Sequence, residues 1–536
     1  MACAQEAAYD GTTVFMTGAT GFLGKVVMEK ILWSLRGVKK LYILLRNRKD
    51  CPAQDRLAKE ILSWQCFDRL REGRPDFESA PHTAREALRA SPLRAADADA
   101  HPALCAGVIE VIAGDLSSPD LGADAEDLRR VQDECDWLIN CAANVEFMEP
   151  LKKIVGDNVT SALNVLAFAK SCSRLRGMVH VSTAYVNSNK RKELDPTESG
   201  QVQEKIYEQW YHDSPQSFYE WVLSTDSDHI QSVLPNLLCG MPNTYTFSKQ
   251  LAEILLEMHR GDLSLAIVRP TCVGASFREP IPGWIDKVGA GATVFLASGM
   301  GQLSLLQGNG ETVGDQIPVD MVTNVILAAV LRLQSEPNAL HIYHSSSSTR
   351  NPCTWGYART ITYKYFGTPG RETQKGMGHN WTYIVPKSTF KIAFNINYYL
   401  PSLAFYKFGQ LVGLLATGKW AGKRPDRKFP RLTRSSATTM YMVKRLRLLT
   451  DAFSPFVTNE YRFESAGVDT LLTLMTPEDR ETFCIGAPES IGRLAFGVCG
   501  GWAVADCSGW CVAQRSRWWT GRSTCTTSAT ACSASS

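Results

Sequence analysis

The sequence lacks an excess of charge of either sign, since 57 Lys and Arg oppose 54 Asp and Glu for a formal net charge of +3 over 536 residues. A surface that binds nucleic acid needs a strong basic excess, so this balance argues against a nucleic-acid partner. With 44% apolar and 21% charged residues, the composition is also unlike that of a disordered chain. The length exceeds the ~250 to 300 residues at which one hydrophobic core stops growing, which predicts two or more domains.

Signals for metal binding, export and membrane crossing are also missing. The 16 cysteines include no CxxC pair and no cluster with histidine at metal-ligand spacing, so we expect no metal site. The N-terminal residues contain neither the basic region nor the apolar run of a signal peptide, and we expect the chain to fold in the reducing cytosol. No uncharged run reaches the ~18 to 20 strongly apolar residues typical of a transmembrane helix.

The first two thirds of the sequence alternate short apolar runs with segments of helical periodicity. The runs are TTVFMTG, LYILLR, VIEVIAGDL, DWLINCAA, GMVHVSTAYV and LSLAIVRPTCVG. Strands that alternate with helices predict an α/β fold with a doubly wound parallel Rossmann sheet covered on both faces. The Arg- and Ala-rich stretch 67–102 interrupts this pattern and is interpreted as a polar surface insertion.

The alternation stops near residue 350, which predicts a Rossmann domain over 1–350 and a smaller, mainly helical domain over 351–484. Residues 485–536 lose all periodicity, and we expect a disordered tail. Within the second domain, 392–418 contains a single charge, Lys407, and 419–447 contains ten Lys or Arg and one acid, Asp426. An apolar stretch followed by a basic one suits a membrane surface or an anionic ligand, although a buried helix beside a solvated basic face fits the pattern equally well.

Three glycines indicate a dinucleotide-binding turn. Gly18, Gly21 and Gly24 follow the first strand and open the first long helix. The first glycine allows a tight turn, the second lets the backbone approach a pyrophosphate, and the third lets the helix lie close to the strand. Backbone N–H groups at the helix N-terminus would hold the phosphate charge.

The end of the second strand favours NADPH over NADH. An NAD enzyme presents Asp or Glu to the ribose about 20 residues beyond the glycine turn, whereas Arg46 stands here with Arg48 nearby. A pair of guanidinium groups would attract a 2′-phosphate. Asp115 and Leu116 close the third strand and are predicted to meet the adenine ring, and the small Ala142 and Ala143, after the fourth strand, would let the cofactor pass.

A YxxxK pattern supplies the candidate acid–base group. Tyr245 and Lys249 are four residues apart and so share one helical face. A lysine ammonium beside a phenol is expected to lower the phenol pKa, so that Tyr245 exchanges a proton near neutral pH. Ser182 and Thr183 end the strand MVHVST, where a hydroxyl would hydrogen-bond a substrate carbonyl beside Tyr245. Cys141 is interpreted as a small core residue rather than a nucleophile.

Taken in order, several segments resemble the fatty acyl-CoA reductases, a branch of the extended short-chain dehydrogenase/reductases. The segments are TGATGFLG, AGDLSSPDLG, NCAANVEFMEPL, HVSTAYVN, YTFSKQLAE, IVRPTCVGASFREPIPGWID and IPVDMVTN. The resemblance covers about residues 11–480 and implies a C-terminal sterile domain and NADPH-dependent reduction of a long-chain acyl-CoA to a fatty alcohol. It also implies catalytic roles for Thr183, Tyr245 and Lys249, with Asn158 supporting a proton relay. After Phe483 the acidic, aromatic C-terminal segment of the family is absent.

The complete candidate cofactor-binding set combines the turn, the strand ends and the catalytic pair. It comprises Thr17, Gly18, Thr20, Gly21, Phe22, Leu23, Gly24, Arg46, Arg48, Asp115, Leu116, Ala142, Ala143, Tyr245, Lys249 and Pro270. An extended reductase or epimerase acting on a nucleotide sugar or sterol is an alternative, as is a cofactor-binding scaffold without turnover. We expect an intracellular, cytosol-facing protein on the endoplasmic reticulum or peroxisome. Chain-length preference, the released product and the oligomeric state are left open by the sequence.

Overall fold

A computed structural model describes residues 3–73, 107–189, 201–207, 213–286, 289–366, 382–384, 386–423 and 425–486. The strands in these ranges are β1 (Thr13–Thr17), β2 (Lys40–Leu45), β3 (Ile109–Ala113), β4 (Trp137–Asn140), β5 (Gly177–Val181), β6 (Leu265–Pro270), β7 (Cys272–Gly274), β8 (Leu305–Gln307), β9 (Gln316–Pro318), β10 (Leu340–Ser345) and β11 (Thr382–Ile384).

The α-helices are α1 (Ala4–Tyr9), α2 (Phe22–Ser34), α3 (Ala53–Arg56), α4 (Asp68–Gly73), α5 (Ala125–Glu134), α6 (Leu151–Val155), α7 (Ser161–Ser171), α8 (Pro215–Ser224), α9 (Ser227–Leu237), α10 (Thr244–His259), α11 (Ala290–Gly299), α12 (Val319–Ser335), α13 (Trp355–Phe366), α14 (Lys387–Phe394), α15 (Leu400–Thr417), α16 (Arg431–Thr458), α17 (Ala466–Leu474) and α18 (Pro477–Thr482). Short π-helical segments at Leu57–Leu62, Gly156–Thr160 and Asn395–Tyr399 follow α3, α6 and α14. Single 3₁₀ turns occupy Gln65–Phe67, Pro119–Gly122 and Ala184–Asn187.

A seven-stranded parallel sheet forms the centre of the molecule, in the order β10-β6-β5-β4-β1-β2-β3. Strands β1, β4, β5 and β6 are buried along their whole length. Strands covered on both faces can be apolar throughout, which is why the sequence shows continuous rather than alternating apolar runs. The predicted α/β fold with a doubly wound parallel sheet is confirmed.

Helices cover both faces of this sheet and create two separate cores. Helices α2 and α12 pack on one face together with α1, and α7 and α10 pack on the other face. The buried apolar positions of α12 occupy almost its whole circumference, because α1, α2 and α17 enclose it on the sides away from the sheet. The sheet edge where the strands end is left for the loops that follow β1, β4 and β5.

The hydrophobic cores do not separate at the predicted domain boundary near residue 351. One core combines 294–306 with 353–358 and 453–457, and β8 pairs with β11. The chain later returns to the sheet, where Val468 and Leu471 of α17 join the core of α2 and α12. The C-terminal region is helical, as predicted, and its helices α16 and α17 pack against parts of the N-terminal region.

Two predicted segments differ in part from expectation. The start of the expected surface insertion is packed, since Phe67 is 1% exposed and Arg69 of α4 forms ion pairs with Glu29 and Glu279. Of the expected disordered tail over 485–536, Ile485 is instead buried in the sheet core, and residues 487–536 lie outside the described residues. Over the ranges that the structure describes, no helix has the length and apolar character needed to cross a membrane.

Candidate active site

The glycine turn joins β1 to α2 and lies against the loop after β4. Gly18 has φ +76°, and a Cβ there would be 2.6 Å from the carbonyl carbon of Cys141. A Cβ on Gly24 would be 2.1 Å from the carbonyl oxygen of Gly18. These obstructing atoms belong to the backbone and cannot rotate away. The first N–H groups of α2 are thereby held at the carboxyl edge of the sheet, in the arrangement that suits a pyrophosphate.

The residues around this turn divide into supporting and accessible groups. Thr17 is fully buried and donates to Asn140 Oδ1 at 2.6 Å, so its side chain supports the turn from within the sheet. The Thr20 carbonyl accepts from Lys25 Nζ at 2.9 Å, and Lys25 forms a buried ion pair with Asp286. Thr20, Gly21, Phe22 and Leu23 remain partly exposed along the turn.

Arg46, one of the two arginines predicted to bind the 2′-phosphate, forms an ion pair with Asp115, which was predicted to meet the adenine ring. The Arg46 guanidinium lies 3.0 Å from the Asp115 carboxylate, and the two side chains are 54% and 42% exposed. Partial burial acts to raise the pKa of Asp115, but hydrogen bonds from Ser117 and the charge of Arg46 outweigh it and hold that pKa below its usual value. Arg48 instead forms an ion pair with Glu60, in which Nη1 and Oε1 are 2.6 Å apart. Leu116 is 6% exposed and belongs mainly to the core.

Helix α10 carries the catalytic candidates at its N-terminal end. The helix begins after Asn243, whose Oδ1 accepts the Thr246 N–H at 2.9 Å. Tyr245 is partly exposed and Lys249 is 1% exposed one turn later on the same face. Lys249 Nζ donates to the Val181 carbonyl at 2.7 Å. The predicted pair therefore lies beside the end of β5.

The proton affinities of this pair differ from the expectation drawn from spacing. Burial raises the pKa of Tyr245 to about 12, although a hydrogen bond with Thr183 acts to lower it. Burial lowers the pKa of Lys249 to about 8. The expected depression of the phenol pKa by the ammonium was wrong for this arrangement, because Lys249 is directed to Val181. The phenol is therefore a protonated donor at neutral pH.

Thr183 and the loop residues beside it complete the edge of the site. Thr183 is buried, and its hydroxyl donates to the Pro270 carbonyl at 3.4 Å. The Ala142 N–H donates to Thr17 Oγ1 at 3.3 Å, and Ala143 is exposed. Burial raises the pKa of the Cys141 thiol to about 12, which agrees with its interpretation as a core residue. Ser182 is also buried, and its hydroxyl has no partner among the described residues.

Asn158 lies in the π-helical segment between α6 and α7. Its Oδ1 accepts the Asn144 N–H at 2.7 Å, and its Nδ2 donates to the Ser248 hydroxyl at 2.9 Å. Ser248 in turn donates to the Tyr245 carbonyl at 2.8 Å. A π-helical turn is frequent at functional sites because it redirects one side chain. Here the amide of Asn158 joins the loop after β4 to α10, rather than bonding to Lys249.

An aromatic cluster from three parts of the chain covers Tyr245. Phe147 stacks on Tyr245 with ring centroids 5.8 Å apart, and Phe456 of α16 lies 5.7 Å from Phe147. Tyr185, which follows Thr183 in the 3₁₀ turn, lies 4.7 Å from Phe456. The C-terminal helix α16 therefore forms part of the wall around the phenol. Sequence reasoning did not identify these aromatic residues, because no local pattern connects positions about 300 residues apart.

Comparisons with known proteins point to one protein family. A family model described as "Male sterility protein" matches residues 16–326. "Fatty acyl-CoA reductase 1" of Xenopus laevis is 29% identical over 476 residues, covering 89% of this chain and 80% of the relative. The human protein of the same name is also 29% identical, over 489 residues that cover 89% of this chain and 81% of the relative.

Among solved structures, the terminal R domain from the myxalamid PKS-NRPS biosynthetic pathway is similar in fold, with a TM-score of 0.51 at 16% identity. The similarity covers 93% of this chain and 91% of that domain. The family model spans more than half of the chain, and the curated relatives extend over most of it. The chain therefore belongs to the fatty acyl-CoA reductase family.

Proposed function

We propose that the protein reduces long-chain fatty acyl-CoA to the primary alcohol with NADPH and releases CoA. The observation that carries this proposal is the Tyr245 phenol, which lies beside Thr183 and stands on α10 one turn before the buried Lys249. These groups stand at the same sheet edge as the glycine turn. The curated relatives are named for reduction of fatty acyl-CoA, which supports this class of substrate.

The residues at the sheet edge fit a nicotinamide dinucleotide. Gly18, Gly21 and Gly24 place no side chains of their own at the turn before α2, so the backbone there can approach a pyrophosphate closely. Arg46 would hold the 2′-phosphate of NADPH. Its bond to Asp115 leaves the guanidinium half exposed, so a second anionic partner has access to it. Two NADPH molecules, bound one after the other, would supply the two hydrides, one for reduction of the thioester and one for reduction of the aldehyde.

The protein's own groups would stabilise oxygen charge and deliver protons. The hydroxyls of Thr183 and Tyr245 would hydrogen-bond the thioester oxygen as negative charge develops on it. Collapse of the tetrahedral adduct breaks the carbon–sulfur bond, so CoA leaves as a thiolate and an aldehyde remains. In the second reduction, Tyr245 would donate its proton to the oxygen and leave the primary alcohol. With its pKa raised to about 12 by burial, the phenol carries this proton throughout the neutral range.

Product analysis tests the reaction directly. Purified protein incubated with palmitoyl-CoA and NADPH should yield hexadecanol by gas chromatography. Tyr245→Phe should lower the rate by about 10²- to 10⁴-fold, because it removes the proton donor and keeps the ring, while NADPH binding measured by fluorescence is retained. Turnover of a sugar nucleotide alone, with no reduction of acyl-CoA, would refute the proposed substrate class.

Replacement of Arg46 tests the choice of cofactor. Arg46→Asp should weaken NADPH binding much more than NADH binding, because a carboxylate would repel the 2′-phosphate. Arg48→Asp is the matched control, since Arg48 is paired with Glu60 and equally exposed. Equal losses of affinity for both cofactors in Arg46→Asp would contradict the phosphate-binding role.

We further propose that the C-terminal domain rests on the surface of an intracellular membrane, either the endoplasmic reticulum or the peroxisome. Apolar side chains that are about half exposed or more run along α14, α15 and the segment after them: Ile392, Ile396, Leu400, Phe408, Leu411, Leu415 and Trp420. Basic residues of 419–447 follow directly. An apolar strip beside a cationic one suits the interface of an anionic bilayer.

Vesicle sedimentation tests this surface. The wild-type protein should sediment with phosphatidylcholine vesicles that contain phosphatidylserine and much less with pure phosphatidylcholine. Leu415→Glu combined with Trp420→Glu should abolish sedimentation, because both side chains are among the most exposed of the strip. Leu474→Glu is the control, as Leu474 is exposed on α17 outside the strip. Unchanged sedimentation of the double variant would refute the surface.

A further inference from the structure

Three polar side chains form a row across the interior of the sheet. Thr17 of β1 is in register with Asn140 of β4, and Asn140 is in register with His180 of β5. Residues in register on neighbouring strands point to the same face. At one end of the row, Thr17 directly precedes Gly18 of the glycine turn. At the other end, His180 lies against α10. Apolar residues dominate the rest of these strands, so the polar row is a local exception.

Hydrogen bonds connect this row without a break to Lys249. Thr17 Oγ1 donates to Asn140 Oδ1 at 2.6 Å, Asn140 Nδ2 lies 3.1 Å from His180 Nδ1, and His180 Nε2 lies 3.3 Å from Lys249 Nζ. All four side chains are no more than 2% exposed. At the far end, Thr17 Oγ1 accepts the Ala142 N–H at 3.3 Å. The row thus extends from the loop beside the glycine turn to the catalytic lysine.

The pattern of donors and acceptors makes the position of the His180 ring proton, on Nδ1 or Nε2, depend on the charge of Lys249. If Asn140 Nδ2 donates to His180 Nδ1, the neutral ring carries its proton on Nε2, which faces the amine of Lys249. That N–H group can donate only to an uncharged amine. An ammonium requires the opposite arrangement, in which Nε2 accepts, Nδ1–H donates, and the amide of Asn140 turns its oxygen to the ring. The row therefore has two proton arrangements, one for each charge state of Lys249.

The surroundings keep the imidazole neutral, so that the lysine is the group that changes charge. Burial, together with the charge of Lys249, holds the pKa of His180 well below its usual value. Burial lowers the pKa of Lys249 to about 8, while Glu253 and Cys141 act to raise it. Glu253 is neutralised by a buried ion pair with Arg269 at 2.6 Å. His180 is thus the side chain that contacts Nζ and reports its protonation.

We propose that His180 is a positioning residue, which holds the Lys249 amine against the Val181 carbonyl and links its protonation, through Asn140 and Thr17, to the loop beside the glycine turn. The inference rests on the proposed function only where it assigns Lys249 to the reaction. The hydrogen-bonded row itself is a property of the folded chain. Its consequence is that a change in the lysine charge is accompanied by reorientation of an amide two strands away.

Nitrogen NMR of histidine side chains tests the row without any reaction. In protein labelled with ¹⁵N-histidine, the His180 ring should stay neutral from about pH 6 to about pH 10. Its Nδ1 and Nε2 shifts should exchange donor and acceptor values with a midpoint near the lysine pKa of about 8. The step should vanish in Lys249→Met. A ring that itself becomes protonated near its ordinary pKa, or a step that survives Lys249→Met, would overturn the proposal.

Two substitutions at His180 separate its two contacts. The amide of His180→Gln reaches the position of Nε2 and can still bind Lys249, whereas the amide of His180→Asn reaches only the position of Nδ1 and binds Asn140. With palmitoyl-CoA and NADPH, His180→Asn should lower kcat by about 10- to 100-fold and shift the alkaline midpoint of the pH profile, with little change in KM for NADPH. His180→Gln should retain the wild-type midpoint and most of kcat.

His344 is the matched control, because it is another fully buried histidine that contacts Arg269 rather than Lys249. His344→Gln should leave the midpoint of the pH profile unchanged, even if it lowers thermal stability. Equal kcat values and unshifted midpoints in His180→Asn and His180→Gln would assign His180 a purely structural role. If the wild-type protein reduces no acyl-CoA, the proposed function fails, while the NMR titration still decides the role of His180.

Discussion

Replacement of Gly18 by alanine tests whether the stability of the protein and its affinity for NADPH depend on the close contact between the glycine turn and the loop after β4. Gly18 has φ +76°, a conformation that costs a residue with a Cβ about 1 to 2 kcal/mol. The new Cβ would also lie 2.6 Å from the Cys141 carbonyl carbon and 2.7 Å from the Ala142 nitrogen. Because those atoms are backbone at the end of a buried strand, the overpacking adds about 1 to 3 kcal/mol.

Gly11 provides a control that separates these two costs. It has φ +66°, yet a Cβ there would meet nothing within 4 Å, so Gly11→Ala should cost only about 1 to 2 kcal/mol. Gly18→Ala should therefore destabilise the protein by about 2 to 5 kcal/mol, the sum of the conformational and packing costs. Urea unfolding followed by circular dichroism measures both variants under identical conditions.

Cofactor binding adds a second measurement to the same pair of variants. Relief of the clash must move the turn or the loop after β4, and both lie where the pyrophosphate is expected to bind. NADPH fluorescence should therefore show an affinity loss of at least about tenfold in Gly18→Ala, which corresponds to 1.4 kcal/mol, and none in Gly11→Ala. The reasoning is refuted if Gly18→Ala is no less stable than Gly11→Ala, or if it binds NADPH as tightly as the wild type.

Three further predictions follow from buried groups around the site. Burial raises the folded-state pKa of Glu204 from 4.5 to about 7, so between these pH values the native state holds a proton that the unfolded state has lost. The free energy of unfolding should therefore fall by about 3 kcal/mol as pH rises through this window. Urea unfolding at several pH values should show this decrease in the wild type and a much smaller one in Glu204→Gln. Glu253→Gln should lower the free energy of unfolding by about 3 to 5 kcal/mol, because it leaves the buried Arg269 guanidinium without its ion-pair partner. Glu336→Gln, which breaks a half-exposed ion pair, should lower it by under about 1 kcal/mol. Equal losses in urea unfolding would contradict this ranking. Phe456→Ala should raise KM for palmitoyl-CoA and leave NADPH affinity unchanged, because the ring covers Tyr245 through Phe147; Phe390→Ala removes a buried ring from a different core, and an equal KM change in both would assign the effect to stability alone.

Local features of the sequence were sufficient to predict the sheet and the helix that carries Tyr245 and Lys249. Continuous apolar runs identified the strands because a parallel sheet is buried on both faces. The spacing of Tyr245 and Lys249 placed both on one helical face, since that geometry depends only on helical pitch. The glycine turn was likewise recognisable, as its three glycines satisfy a local steric requirement. In each case the information lay within a few consecutive turns or strands.

The tertiary structure alone decided the electrostatics and the enclosure of the site. The pKa values of Tyr245 and Lys249 depend on burial, and that burial comes from segments distant in sequence, such as the loop with Phe147 and strand β5. The row that includes His180 exists only because strand register aligns Thr17 with Asn140, 123 positions away along the chain, and Asn140 with His180, 40 positions away. Phe456 contacts Phe147, which stacks on the phenol, because α16 returns to the sheet edge. Periodicity records which face of an element is apolar, but it carries no information about which distant element will cover that face.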